Sequence, residues 1–243
     1  MSSEQIRINK FLSQAGFCSR RKADQLIGQN RVTLNGEVPE MGTKVLKGDQ
    51  VEVDGESIEI KESPVYLILN KPSGIVCTTD RKREKNNIID FVNYPKRIFP
   101  IGRLDKPSEG LILLTNDGDI VNKILRSSNH HEKQYQVETD RPITEEFLNR
   151  MSNGIPVLDT VTKKCETKKT GDYQIEINLT QGLNRQIRRM CEYLGFQIVR
   201  LKRLRVMNIK LDIPVGEYRE LTTEELKTLK KLTQVSSKSE TKS

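Results

Sequence analysis

The chain has two histidines, adjacent at His130 and His131, and four scattered cysteines, Cys18, Cys77, Cys165 and Cys191. Any chemistry therefore rests on carboxylates, tyrosines, arginines and lysines. Three segments concentrate those groups. The first is Pro100-Ile101-Gly102-Arg103-Leu104-Asp105-Lys106-Pro107-Ser108-Glu109-Gly110, a glycine- and proline-shaped loop ahead of an apolar run. Loops carried by a rigid sheet are where catalytic groups usually sit. On spacing alone the plainer reading, an ordinary acid in a surface turn, is favoured for Asp105. The second segment, Glu132-Lys133-Gln134-Tyr135-Gln136-Val137, opens a strand. Lys133, Tyr135 and Val137 share one face, wet at its start and buried at its end, which suits a tyrosine at a pocket rim as well as one in a core.

The third segment is Gln181-Gly182-Leu183-Asn184-Arg185-Gln186-Ile187-Arg188-Arg189-Met190-Cys191-Glu192-Tyr193-Leu194-Gly195. Asn184 is expected to cap a helix and Gly195 to end it. At about 100° per residue, Ile187, Met190, Cys191 and Leu194 make one apolar stripe. Arg185 and Arg189 fall roughly opposite, on a face suited to phosphates. Arg188 falls at the border, so its stem can lie on the core while its guanidinium sits half-buried. A buried guanidinium needs an anionic partner, and a catalytic carboxylate would serve. Arg200, Lys202, Arg203, Arg205 and Lys210 follow and read as an extension of the basic surface. A solvated charge run is the usual reading of such a stretch. The weight of arginine over lysine favours RNA, because arginine grips phosphate with two parallel bonds and stacks on bases.

Other chemistries lack their residues. There is no Gly-x-x-x-x-Gly-Lys-Ser/Thr phosphate loop and no dinucleotide fingerprint behind a strand. The cysteines do not sit at metal-ligand spacing and the histidine pair reads as a solvated loop, so neither metal nor cofactor is expected. No apolar run approaches the roughly 18 residues of a membrane span, and the N-terminus lacks the apolar core of a signal peptide. A cytoplasmic protein with reduced thiols is expected.

The elements that must position these groups fall into two blocks. In the first sixty residues Ile8, Phe11 and Leu12 follow helical spacing, and Gly16 closes that helix. Ser19 can cap a second helix through Ala23, Leu26 and Ile27. That helix opens with Arg20, Arg21 and Lys22, cations that oppose its dipole at a cost of ~0.3 kcal/mol or more. Such a cost without a packing benefit suggests function. Asn35-Gly36 marks a tight turn and Gln50 to Val53 alternates as a strand. Residues 61–64 read as the linker. Beyond it Val65 to Leu69 is an apolar strand, followed by strands at Gly110 to Thr115, Gln134 to Thr139 and Tyr173 to Thr180. Helices are expected near 117–125, 144–153 and 184–194. A last helix starts from the capping box Thr222-x-x-Glu225. Strands and helices mix without βαβ regularity, which implies an α+β fold on a mixed, largely antiparallel sheet. The expected division is 1–62, 63–232 and a disordered polar tail at 233–243.

The net charge of +8, from 41 basic and 33 acidic residues, favours polyanionic partners. The excess is local. Residues 1–36 hold Arg7, Lys10, Arg20, Arg21, Lys22 and Arg31 against Glu4 and Asp24, whereas residues 37–62 are acidic. These six cations are expected RNA contacts.

Gly102-Arg103-Leu104-Asp105, Lys133-Gln134-Tyr135 and Asn184-Arg185-Gln186-Ile187-Arg188-Arg189-Met190 resemble, in order, the three active-site motifs of the RsuA family of ribosomal pseudouridine synthases. Residues 5–55 resemble the small RNA-binding domain named after ribosomal protein S-four, the α-L motif. Residues 118–126 and 160–165 look most like the RluF subgroup. The resemblance implies an isomerase that turns uridine into pseudouridine. It assigns Asp105 as the essential aspartate, Tyr135 as the ring packed on the target base and Arg188 as the cation paired with Asp105. Arg103, Lys133, Arg185, Arg189 and Arg203 are expected at the RNA or in support of the site.

Pseudouridine carries the ribose on C5 instead of N1, so the N1–C1′ bond must break, the base turn, and a C5–C1′ bond form. A carboxylate can attack C1′ or remove the 2′ proton to give a glycal. Both routes are open on the residues, and the resemblance leans to the glycal. The target must be flipped out of its stack. The subgroup resemblance implies 23S ribosomal RNA, with a transfer RNA anticodon loop as a second candidate, and a monomer is expected. The rival reading is a non-catalytic RNA-binding or ribosome-assembly protein, which shares the basic patches but does not require Asp105, Tyr135 and Arg188 together.

Overall fold

The structure, a computed structural model, describes residues 5–60, 63–125 and 131–238, with side chains to residue 234. The chain divides into two compact units, one built chiefly from residues up to Pro64 and the other from Val65 onward.

The first unit runs β1 (Ile6–Arg7), α1 (Ile8–Gln14), α2 (Arg20–Gly28), β2 (Val32–Leu34), β3 (Lys44–Val45), β4 (Val51–Val53) and β5 (Glu56–Ile58). Ile8 and Leu12 of α1 pack on Ala23, Leu26 and Ile27 of α2 and on Val32, Val51 and Val53 of the strands. The expected punctuation is in place. Gly16 takes φ +78 after α1, and the Ser19 hydroxyl accepts the Lys22 N–H at 3.2 Å. At Asn35-Gly36 both residues have positive φ, 54 and 86, the turn whose twist matches the strands it joins.

The second unit runs β6 (Tyr66–Lys71), α3 (Ile88–Val92), β7 (Phe99–Ile101), β8 (Glu109–Thr115), α4 (Gly118–Leu125), β9 (Lys133–Thr139), α5 (Glu145–Asn153), β10 (Pro156–Val157), β11 (Thr160–Val161), β12 (Glu166–Gly171), β13 (Gln174–Leu179), α6 (Gln186–Tyr193), β14 (Ile198–Val206), β15 (Ile209–Lys210), β16 (Tyr218–Glu220) and α7 (Thr223–Lys238). Its main sheet has the order β12-β13-β9-β14-β8-β6-β16, with β15 on β14 and β7 on β8. Among the described residues only β14 and β8 pair in parallel. The fold is α+β on a mixed, largely antiparallel sheet.

The continuous apolar runs of β6 and β8 follow from burial of both faces. Leu67, Leu69, Ile112 and Leu114 meet Ile88 and Val92 of α3. Ile68, Leu111 and Leu113 meet Ile120 and Ile124 of α4 and Leu229 of α7. A third core under α5 and α6 gathers Phe147, Met151, Ile187, Met190 and Cys191 on Val137, Ile175 and Ile177. Gly110 makes the parallel pair feasible. It lies opposite Arg203 at φ +101, and a Cβ there would stand 2.3 Å from the Arg203 carbonyl oxygen.

Three expectations change. The basic stretch after α6 is the central strand β14 and not a surface run. Arg203 is 4% exposed, opposite Tyr135 on one side and Gly110 on the other. Its charge density hid the alternation of Leu201 and Arg203, and register shifts near Val199 and Leu204 broke the period. His131 is buried with Nδ1 3.1 Å from the Ile124 carbonyl, so it is not solvated; His130 lies outside the described residues. The last helix continues through Lys238 into the stretch expected to be disordered from 233, and 239–243 lie outside the described residues. The Thr222–Glu225 box starts that helix, with Glu225 N–H to Thr222 Oγ1 at 3.2 Å and Thr222 N–H to Glu225 Oε2 at 2.8 Å. Buried Leu229 and Thr233 anchor it, after which each further residue adds a bond at little cost.

Candidate active site

Asp105 stands on the loop between β7 and β8, and its neighbours fix that loop from both sides. Leu104 is buried with its N–H on Cys77 Sγ at 3.4 Å, and Ser108 is buried with its N–H on the Asp105 carbonyl at 3.0 Å. The Lys106 carbonyl accepts the Gly74 N–H at 2.8 Å. Gly102 turns into the loop at φ +76. Between these anchors the Asp105 side chain remains 28% exposed.

Helix α6 aims its arginines at that carboxylate. Arg188 Nε lies 3.8 Å from Asp105 Oδ2, and Arg185 Nη1 lies 4.0 Å from the same oxygen. Arg188 also donates from Nη2 to Ser108 Oγ at 3.1 Å. Its side chain is 12% exposed, as the helical phase implied. Burial pushes the Arg188 guanidinium below its ordinary pKa, nearby Arg185 pushes it further, and Asp105 opposes both. The ion pair is loose: at 3.8 Å it is a charge contact, and Arg188 Nε is a buried donor with no hydrogen-bond acceptor. Among the described residues Asn70, Asn178 and Asn208 each carry a buried side-chain oxygen in the same condition.

Tyr135 of β9 completes the cavity. Asp105, Tyr135, Arg188, Leu179, Ile187 and Leu201 are among its walls, and it encloses about 90 Å³. The register sets a row across the sheet: Ile177, Tyr135, Arg203, Gly110 and Lys71 stand side by side on β13, β9, β14, β8 and β6. The cavity thus offers a carboxylate, three guanidiniums (Arg103, Arg185 and Arg188), an aromatic face and an apolar wall. That set can hold a flat base while a carboxylate works at the attached sugar.

The expected residues are placed as follows. Asp105, Tyr135, Arg188, Arg103 and Arg185 line one cavity. Lys133 is half-buried with Nζ on the His131 carbonyl at 3.2 Å. Arg203 is not on the basic surface; its Nε donates to the Leu111 carbonyl at 2.7 Å. Arg189 turns back on Asn184, bonding its carbonyl at 3.1 Å and its side-chain oxygen at 3.2 Å. Asn184 is not the cap: Arg185 holds that position at φ 50, and the Gln186 side chain accepts the Leu183 N–H at 3.1 Å. A left-handed arginine lets the chain enter α6 sharply enough to aim Arg185 at Asp105.

In the first unit Arg7, Arg20, Arg21, Lys22 and Arg31 are exposed and Lys10 is half-buried. Arg31 is engaged by Asp54, with Nε on Oδ1 at 2.8 Å.

Ser108, Gln186 and Lys71 were missed from sequence. Lys71 is fully buried with Nζ on the Pro72 and Ile75 carbonyls, each at 2.8 Å. A lysine ending an apolar run just before Pro72 was its available signal. Nothing local marks Ser108, whose partner is eighty positions away.

Comparison with known proteins agrees across the chain. The family model for RNA pseudouridylate synthase matches residues 65–193, and that for the S4 domain matches residues 6–51. The dual-specificity RNA pseudouridine synthase RluF of Escherichia coli (strain K12) is 55% identical over 235 residues, 96% of this chain and 81% of the relative. The ribosomal large subunit pseudouridine synthase B of Bacillus subtilis (strain 168) is 37% identical, covering 93% of this chain and 96% of the relative. A solved structure described as a pseudouridylate synthase superposes with TM-score 0.68 at 31% identity, covering 92% of this chain and 99% of the other.

Proposed function

This chain belongs to the RNA pseudouridylate synthase family, an isomerase that converts uridine to pseudouridine in RNA, and on that premise we propose that Asp105, Tyr135 and Arg188 perform the isomerisation on 23S ribosomal RNA. The observation that carries the reading is the convergence of Asp105, Arg188, Arg185 and Tyr135 on one cavity, with both arginines within 4.0 Å of the Asp105 carboxylate. Asp105 supplies the carboxylate, at C1′ or at the 2′ proton. Arg188 and Arg185 keep that carboxylate surrounded by positive charge, and Tyr135 offers its ring to the base as it turns. C5 loses a proton and N1 gains one, so no oxidant or reductant is consumed.

Residues 1–62 serve as the RNA-binding domain, through Arg7, Lys10, Arg20, Arg21, Lys22 and Arg31, and residues 63–232 as the catalytic domain. The S4 match at 6–51 supports the former. Similarity to the ribosomal large subunit pseudouridine synthase B supports ribosomal RNA, and similarity to a dual-specificity enzyme keeps a transfer RNA anticodon loop as second substrate. We take the working form as a cytoplasmic monomer; no described helix is long and apolar enough to cross a membrane. The rival, a binding protein without catalysis, leaves the Asp105 cavity unexplained.

Carbodiimide mapping of total RNA from cells with and without the gene tests the substrate. A stop in 23S ribosomal RNA should vanish without the gene and return with the wild type but not with Asp105→Ala. Unchanged stops in both RNAs would overturn the assignment.

A further inference from the structure

A second cavity, about 230 Å³, shares Arg103, Tyr135, Gly182 and Leu183 with the Asp105 cavity. Its distinctive walls are Lys133 and Arg203, over an apolar floor that includes Leu113, Ile124 and Val206. Among the described residues lining it, every charged side chain is a cation: Arg103, Lys133 and Arg203. The sheet enforces this grouping. Lys133 and Tyr135 point the same way from β9, and Arg203 lies directly opposite Tyr135 on β14.

Lys133 and Arg203 have hydrogen bonds, and no acid is among the described residues lining this cavity. Lys133 Nζ reaches the His131 carbonyl at 3.2 Å and Arg203 Nε the Leu111 carbonyl at 2.7 Å. A carbonyl accepts a hydrogen bond without cancelling a charge. Burial and the nearby Arg203 both push the Lys133 pKa down, as expected where positive charges gather without an acid. Buried cations are tolerated when an anion meets them.

We propose that this cavity is a phosphodiester subsite, which takes the backbone phosphate adjacent to the target nucleotide. The inference rests on the reading of the Asp105 cavity as the base site. The anions of RNA are its phosphates, and a nucleotide whose base enters the first cavity brings its own phosphates to the shared wall. Lys133 and Arg203 then hold the strand where stacking has been given up, which favours the flipped state. Lys133 and Arg203 are binding residues on this account, and Tyr135 forms the partition between base and phosphate.

Ethylation interference on transcribed 23S ribosomal RNA tests the assignment, with wild type, Lys133→Met and Lys133→Arg. With the wild type, ethylating a phosphate next to the isomerised uridine should block binding. With Lys133→Met that position should become indifferent. The salt slope of log affinity should fall by about 0.7, one single-stranded phosphate contact. The kcat/KM of Lys133→Met should fall about tenfold or more, mainly through KM, and Lys133→Arg should recover most of it. A merely structural lysine would lower activity without moving the interference pattern or the slope. Interference at the flanking phosphates that persists in Lys133→Met, or its absence in the wild type, overturns the subsite alone. If the wild type forms no pseudouridine in this RNA, the ribosomal substrate reading falls and the subsite falls with it.

Discussion

Two arginine–carboxylate groups in the second unit use the same chemistry to opposite ends. At the edge of the sheet Arg219 of β16 is saturated. It bonds Asp212 at 2.6 and 3.0 Å and Glu225 at 2.8 Å through both terminal nitrogens, and Glu225 also completes the cap of α7. At the cavity Arg188 stands 3.8 Å from Asp105 with a donor unused. The first group joins a strand, a loop and a helix, and every geometric requirement is met within the chain. The second holds charge close together and leaves hydrogen bonds unmade. The two groups thus share charge and burial and differ in closure: Arg219 is closed by hydrogen bonds to two acids, and Arg188 makes none to Asp105.

The largest test of that contrast is Asp105→Asn, which keeps shape and removes the charge. Pseudouridine formation should fall on the order of 10⁴-fold or more in a single-turnover assay, while the melting temperature stays near that of the wild type. A variant that kept activity would dissolve the distinction. Arg188→Gln comes next. It should lower kcat roughly a hundredfold, as loss of one aimed donor commonly does, and Ser108→Ala should reproduce a small part of that loss by freeing Arg188. Equal effects of Arg188→Gln on stability and on rate would make it another Arg219. Arg219→Gln should give the reverse pattern. We expect it to cost about 1–3 kcal/mol in urea unfolding, with activity per folded molecule unchanged.

The smallest effect is in pH. Arg219, then the Thr222 backbone and side chain, hold the Glu225 carboxyl below its ordinary pKa against the opposing effect of burial. A depressed carboxyl stabilises the fold above its unfolded pKa, about 4.3, and loses that contribution as pH falls through the lower folded value. Unfolding free energy should therefore decline as the medium is acidified below that point. The decline should be shallower in Glu225→Gln. Parallel acid curves for the two proteins would remove Glu225 from the account.

Legibility in the sequence followed the range of the interactions. Caps and turns could be read because their partners are a few residues apart, as with Ser19 and Lys22, Thr222 and Glu225, and Asn35-Gly36. The half-burial of Arg188 could be read because helical phase is local. Asn184 was misread as a cap because the backbone solved the entry to α6 with a left-handed Arg185, a conformation no propensity suggests for arginine. Arg203 was misread because its environment is made by strands that begin near positions 109 and 133.

The sequence by itself determined the order of the three candidate-site segments, the α+β class, the split between a small N-terminal block and a larger one, and the apolar stripe that turns Arg188 inward. Each depends on spacing within one segment, and the periods of helix and strand are properties of the local backbone. Tertiary structure alone decided what those groups meet. It set the register row from Ile177 through Tyr135 and Arg203 to Gly110 and Lys71, the reach of Arg188 to Ser108, and the acid-free cluster of Lys133 and Arg203 beside the Asp105 cavity. These depend on which strands pair and where bulges shift them, and that choice minimises the free energy of the whole core, which no single segment contains.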